Sequence, residues 1–158
     1  MKILIIGYGS PIRGDDALGP LVADRLEQDG VPADVAVIAR HILTAELVAD
    51  LAVVDQAIFL DAAVDLEPGA VRCQPLIPTT SPASSMAHFL DPRELLGWCA
   101  ALYGHAPDSV LITGGGASFD YADYRLSPGG EMTLTAMLAQ ARRLIHAHVA
   151  LSRSGAIL

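Results

Sequence analysis

The 158-residue sequence predicts an α/β protein in which helices cover both faces of a five-stranded mixed sheet, a three-layer α/β/α sandwich. Short apolar runs rich in β-branched residues predict buried strands, and they alternate with segments whose apolar residues recur every three or four positions, as on helix faces. Apolar residues make up 52% of the chain and charged residues 18%, which is typical of a compact protein with a covered sheet. A chain of this length can bury a substantial core, so we expect one domain at 1–151 and a C-terminal tail at 152–158.

The first nineteen residues predict a strand, a glycine-rich loop and a helix. Residues 3–6 form an unbroken apolar run, residues 7–14 contain three glycines, and apolar residues recur at helical spacing over 17–26. Asp15 and Asp16 stand where this helix begins. Because ligands in open α/β sheets bind beyond the carboxyl ends of the strands, these carboxylates lie where chemistry is usually done.

Two interpretations of this loop compete with a catalytic one. Dinucleotide binding requires a glycine at position 12, which is Ile12 here, and paired carboxylates would repel a pyrophosphate. Alternatively, Asp15 is a helix N-cap and Asp16 an acid of the first turn that the helix dipole favours.

The rest of the chain supplies the remaining strands and helices. Strands are predicted at 35–39, 57–60, 71–76 and 109–113, and helices at 44–51, 89–102 and 128–149. Thr44 is the expected N-cap of the helix at 44–51, and Asp61 ends the third strand. The connection between the third and fourth strands is too short for a crossover helix, so the fourth strand should run antiparallel to the others. The longest irregular stretches are 77–85 and 117–126.

Composition excludes several classes of function. The net charge of −8, with 18 acidic and 10 basic residues, repels nucleic acid and anionic membranes, so neither is an expected partner. The apolar runs are shorter than a bilayer span and the first strand begins almost at Met1, so we expect no signal peptide, no membrane helix and a cytoplasmic location. Cys73 and Cys99 have no metal or redox spacing and are expected to be buried.

Three side chains stand at comparable places and form a candidate site. Asp16 follows the first strand, Asp61 ends the third, and His88 closes the loop before the third helix. If the first and third strands are neighbours, the two carboxylates face each other across one crevice. Two carboxylates and an imidazole suit a borderline divalent ion with open positions for a substrate. Each residue also has an ordinary explanation, since Asp61 could cap a loop and His88 could be a polar residue at a helix start.

Several blocks of sequence, in this order, carry a resemblance that covers nearly the whole chain. They are GYGSPIRGDDALG, HILTAELVADL, IFLDA, SMAHFLDPRELL, LYG and LSP. This pattern resembles the hydrogenase maturation proteases, the endopeptidases that trim the C-terminus of the [NiFe]-hydrogenase large subunit. The resemblance implies a phosphorylase/hydrolase-like sandwich with strand order 2-1-3-5-4.

The resemblance also implies a site and a reaction. The metal-binding and catalytic residues of the family fall on Asp16, Asp61 and His88 of this sequence. They would hold nickel that the substrate precursor supplies, with no organic cofactor. The partner is the large-subunit precursor, from which a short C-terminal peptide is removed. A non-catalytic module that senses nickel in the precursor would use the same ligands and stays an alternative.

Departures from the family pattern are confined to the loops. Ser10 stands where asparagine is usual, Ala17 where glycine is common, and Ile42 where glutamine is frequent. The last change leaves His41 without an assigned role, although it could line the cleft. Asp15 is expected to orient the loop or a ligand rather than to bind metal.

Two long loops are expected to contact the precursor. They span residues 77–87 and 114–127. Long loops beside a site usually carry function, which is why we expect them at the interface.

Overall fold

A computed structural model describes residues 1–80, 90–122 and 125–155. The strands are β1 (Ile3–Tyr8), β2 (Val35–Arg40), β3 (Gln56–Pro68), β4 (Val71–Leu76) and β5 (Asp108–Gly115). The helices are α1 (Leu18–Asp29), α2 (Leu47–Ala52), α3 (Pro92–Tyr103) and α4 (Pro128–Gly155), and a 3₁₀ turn (Gly14–Ala17) precedes α1.

The strands form one mixed sheet in the order β2-β1-β3-β5-β4. β1 pairs in parallel with β2 and β3, β3 pairs in parallel with β5, and β4 runs antiparallel to β5. The predicted fold class, strand order and antiparallel fourth strand are therefore confirmed. The four parallel strands end at one edge of the sheet, called here the carboxyl edge, and the loops that follow them gather there.

Alternation along β1 divides the core into two layers, because successive side chains of a strand point to opposite faces. Ile3 and Ile5 pack with α1 and α4 on one face. Leu4 and Ile6 pack with α2 and α3 on the other. All four are buried, which explains why this run is apolar throughout rather than alternating.

Several element boundaries differ from the prediction, and α3 begins at Pro92 rather than at residue 89 because Asp91 caps it. β3 continues past Asp61 to Pro68, because the strand passes an irregularity in its pairing with β5 and then turns at Gly69 into β4. α2 begins at Leu47 rather than at residue 44, because the Thr44 hydroxyl donates to the side chain of Glu46 and caps no helix. α4 extends to Gly155, so residues 152–155 of the predicted tail are helical, and 156–158 lie outside the described residues.

The prediction of two buried thiols is half wrong. Cys99 is buried in α3, but Cys73 is exposed. The reason is that Cys73 lies on β4, which is an edge strand of the sheet.

Within the described ranges, no helix combines the length and the apolar character that crossing a bilayer requires.

Candidate active site

Glycines in the loop after β1 and in α1 allow this helix to pack closely on the strands. A Cβ atom on Gly7 would lie 2.1 Å from the carbonyl oxygen of Gly19, and one on Gly19 would lie 2.3 Å from that of Leu60. The start of α1 therefore rests directly on β1 and β3. Gly9 has a φ of +147°, and a Cβ there would lie 2.0 Å from the backbone oxygen of Asp16. These contacts hold Asp16 above the ends of the strands.

The loop is poorly suited to a dinucleotide. Its Ser10 amide donates to the carboxylate of Asp16 at 2.8 Å, so the chain's own anion already occupies a donor that a phosphate would need. A Cβ atom on Gly7, Gly9 or Gly14 would lie within 2.5 Å of a backbone oxygen, so close packing of the chain accounts for the glycines of this loop.

Asp15 is the most heavily hydrogen-bonded side chain of the site. Its carboxylate accepts from the amides of Ala117 at 2.7 Å, Ser118 at 3.1 Å and Ser127 at 2.8 Å, and from the Ser127 hydroxyl at 2.6 Å. Its own amide donates to the Ser118 carbonyl at 2.8 Å. The residue is fully buried. Asp15 thus ties the loop after β1 to the loop after β5 and to the start of α4.

This arrangement overturns the N-cap interpretation of Asp15 and confirms that it orients the loop. Ala17, not Asp15, is the N-cap residue of α1, and no side chain caps that helix. Burial alone would raise the pKa of Asp15. The hydrogen bonds from Ser127, Ala117 and Ser118 outweigh it and hold the pKa below its ordinary value. Asp15 is therefore a buried, ionised carboxylate whose oxygens face protein donors.

Asp16 and Asp61 come close together at the carboxyl edge. The sequence predicts this proximity if the first and third strands are neighbours, and β1 does pair with β3. Gly7 pairs with Leu60 between β1 and β3, so Tyr8 and Asp61 come next along adjacent strands. The negative charge of Asp16 acts on Asp61, and both charges act on Tyr8. The two carboxylates thus share one electrostatic environment, while their role as metal ligands stays a prediction.

Burial gives Asp61 an unusual proton affinity. It raises the pKa of Asp61 from its ordinary 3.8 to about 6, and the negative charge of Asp16 adds to that rise. Hydrogen bonds from the Tyr8 hydroxyl and the Ala62 amide, the latter at 2.8 Å, act in the opposite direction. Burial and the nearby carboxylates raise the pKa of Tyr8, so its hydroxyl remains protonated. A cation close to Asp61 would stabilise the ionised form of its carboxylate.

His88, the third predicted ligand, lies outside the described residues. Across residues 1–80, 90–122 and 125–155, no group of three or more His, Cys, Asp or Glu side chains has the geometry to hold a metal ion. The structure therefore provides the two carboxylates of the predicted set, and the imidazole stays a prediction.

Two residues near the site were missed by sequence reasoning. Tyr8 ends β1 against Asp61, and only its position at the last residue of a buried strand could have indicated it. Asp91 caps α3 by accepting from the Glu94 amide at 2.8 Å, and its charge also acts on Tyr8. The sequence Asp-Pro-Arg-Glu is a recognisable helix start, but it does not reveal that this cap lies beside the site. His41 is exposed and, with Ile42 and Thr44, lines a cavity of about 340 Å³ after β2.

No protein-family model matches the chain, and no curated protein matches it by sequence. Solved structures do match. The [NiFe] hydrogenase maturation protease HycI from Thermococcus kodakarensis is 26% identical, with a TM-score of 0.69 over 92% of this chain and 90% of that one. The hydrogenase maturating endopeptidase HybD from Escherichia coli is 22% identical, with a TM-score of 0.73 over 94% of each chain. The fold of this chain is that of solved hydrogenase maturation proteases. A third match, a hydrogenase 2 maturation peptidase from a thaumarchaeon, has a TM-score of 0.70 at 22% identity and spans 92% of this chain and 99% of that one.

These matches confirm the resemblance drawn from the sequence blocks. They also confirm the predicted enzyme class, since the matched structures are named as a protease, a peptidase and an endopeptidase, which are hydrolases.

We expect the carboxylate of Asp15 to be essential for stability. Replacing Asp15 by Asn keeps the shape but sets an amide NH₂ against N–H and O–H donors, and should cost about 2–4 kcal/mol of unfolding free energy. Ser127→Ala removes the hydroxyl that donates to Asp15 and accepts from the Gly130 amide, but keeps the three amide contacts of Asp15, and should cost about 1–2 kcal/mol. Urea unfolding of both variants beside the wild type measures the difference. An Asp15→Asn variant as stable as the wild type would refute the anchoring role.

Asp61 should lower stability at neutral pH in the metal-free protein. The pKa of Asp61 is higher in the folded than in the unfolded protein, so the protonated side chain favours the folded state. This stabilisation is fully present below about pH 4 and is lost as the pH rises through about 6. Asp61→Asn can still accept from Tyr8 and Ala62 but carries no charge. We expect it to be more stable than the wild type by about 1–3 kcal/mol at pH 7.5 and equally stable near pH 4.

Thermal unfolding in a chelating buffer at both pH values checks this expectation. The matched control is Asp65→Asn on the same strand, an exposed carboxylate whose pKa Arg72 lowers, and it should show no gain at pH 7.5. A gain for Asp61→Asn that is equal at both pH values would contradict the electrostatic explanation.

Proposed function

We propose that this chain is a nickel-dependent endopeptidase that removes a short C-terminal peptide from the large-subunit precursor of a [NiFe]-hydrogenase. The observation that carries the proposal is the pair of carboxylates, Asp16 and Asp61, at the carboxyl edge of the sheet. The fold supports it, because the matched structures are named as hydrogenase maturation proteases.

The nickel is part of the substrate. Asp16, Asp61 and His88 would hold an ion that is already seated in the precursor. Two hard carboxylates and one imidazole form a modest site with open positions, so tight binding requires ligands from the precursor itself. The metal thereby reports that the precursor has been loaded before any bond is cut.

The chemistry would be metal-assisted hydrolysis. The ion, when bound, polarises the scissile carbonyl or a water molecule. Asp61 contributes a carboxylate that burial leaves partly protonated near neutral pH, and a cation would displace that proton. Neither cysteine is placed to act as a nucleophile there, since Cys73 lies in the middle of β4 and Cys99 is buried in α3.

A cleavage assay on the loaded precursor tests the proposal. We expect the wild-type chain to shorten a nickel-loaded large-subunit precursor by a C-terminal peptide, seen by intact mass, and to leave the metal-free precursor unchanged. Asp16→Ala and His88→Ala should abolish cleavage while the fold is kept, because each removes a ligand. Asp15→Ala should reduce cleavage less, through the loop it anchors.

Matched controls are available on the helices. Asp50→Ala on α2 and His146→Ala on α4 remove exposed side chains of the same types and should cleave normally. Retained cleavage in both Asp16→Ala and His88→Ala would refute the metal-docking role. Binding of the loaded precursor without any change in its mass would instead establish the non-catalytic sensing module.

A further inference from the structure

Four large apolar side chains stand exposed in the segments at the carboxyl edge, and nothing in the proposed chemistry requires them. They are Ile12, Ile42, Val64 and Tyr121, which are 43%, 45%, 80% and 75% exposed. Ile12 follows β1, Ile42 follows β2, Val64 lies in the outer part of β3, and Tyr121 follows β5. These four residues are called here the apolar rim.

Two members of the rim are joined directly. The carbonyl of Ile12 accepts from the amide of Ala122 at 3.1 Å, and Tyr121 precedes that amide in the chain. Both belong to loops that Asp15 holds together through its bonds to Ala117 and Ser118. The segments that carry Ile12 and Tyr121 are therefore adjacent, and Asp15 holds both close to the loop that carries Asp16.

The other two members are tied to the same loops. The amide of Gly9 donates at 3.2 Å to the last residue of β2, two positions before Ile42. The carbonyl of Ala63 accepts from Gly116 at 3.1 Å, and Val64 follows it. Each rim residue thus lies within two positions of a backbone hydrogen bond that links its loop to the neighbouring loop. The segments that carry the rim residues are therefore hydrogen-bonded to one another around the loops that carry Asp15 and Asp16.

The charge and polarity of this surface indicate which kind of molecule binds to it. Its centre is acidic, since the charges of Asp16, Asp61 and Asp91 all act on Tyr8. A free cation would neutralise that centre but would not cover apolar side chains. An uncharged apolar peptide would cover the rim but leave the carboxylates without a counter-charge. A protein surface that presents a bound cation surrounded by apolar residues satisfies both parts.

We propose that the apolar rim is the docking surface for the large-subunit precursor around its nickel ion, and that it recognises the protein while the carboxylates recognise the metal. This inference rests on the proposed function and adds a second, separable recognition element. Exposed aromatic and aliphatic anchors near the centre of an interface commonly dominate its affinity, so Tyr121 and Ile12 should contribute most.

The test separates recognition of the protein from recognition of the metal. The double variant Ile12→Ser/Tyr121→Ser is compared with the control variant Val53→Ser. Val53 is an apolar residue that is 71% exposed, and it lies between α2 and the start of β3, at the end of the sheet opposite the site. The dissociation constant for nickel ion alone is measured by calorimetry, and the affinity for a nickel-loaded large-subunit precursor is measured as the KM of its cleavage. Thermal unfolding verifies that each variant is folded.

We expect the double variant to bind the loaded precursor about tenfold or more weakly than the wild type and to bind nickel alone with unchanged affinity. Val53→Ser should match the wild type with both probes. Unchanged precursor binding by the double variant, while the wild type binds and cleaves, would overturn the docking surface and leave the proposed function intact. An equal loss of affinity for nickel alone would also overturn it. A wild type that neither binds nor cleaves the loaded precursor would overturn the proposed function, and the docking surface with it.

Discussion

The carboxylate of Asp15 is the constraint on which the carboxyl edge depends. It is fully buried, and its partners lie more than a hundred residues away in the sequence, at Ala117, Ser118 and Ser127. A buried anion is stable only when donors surround it, so the loops after β1 and β5 and the start of α4 must converge on this one group. Gly130 leaves room for it, because a Cβ there would lie 2.2 Å from a carboxylate oxygen. The position of Asp16 follows from that convergence.

Three aspartates within this small region have different properties because their surroundings differ. Asp15 receives four hydrogen bonds, which outweigh its burial and lower its pKa. Asp61 receives two, and its burial and the charge of Asp16 prevail, so its pKa rises to about 6. Asp16 is half-buried and accepts from the Ser10 amide. The first aspartate braces the loops, and the other two remain available to a cation.

The sequence predicts the architecture well because hydrophobic periodicity and connection length are local signals. The run over residues 3–6 and the short link before β4 fix a buried strand and an antiparallel strand. Strand order came from the resemblance. The partners of Asp15 were not predictable, since adjacent aspartates reveal neither which one is buried nor which distant amides it meets. Tyr8 and Asp91 were missed for the same reason, because their proximity to Asp61 and Asp16 arises only when β1, β3 and the start of α3 assemble.

Anomalous diffraction at the nickel edge, from crystals of the chain soaked with nickel, tests directly whether Asp16 and Asp61 form the metal site. We expect one principal nickel peak at the carboxyl edge, within coordination distance of carboxylate oxygens from both Asp16 and Asp61, with Asp15 still bound to Ser127 and Ala117. A principal peak coordinated by Asp15, or one that engages neither Asp16 nor Asp61, would contradict this expectation.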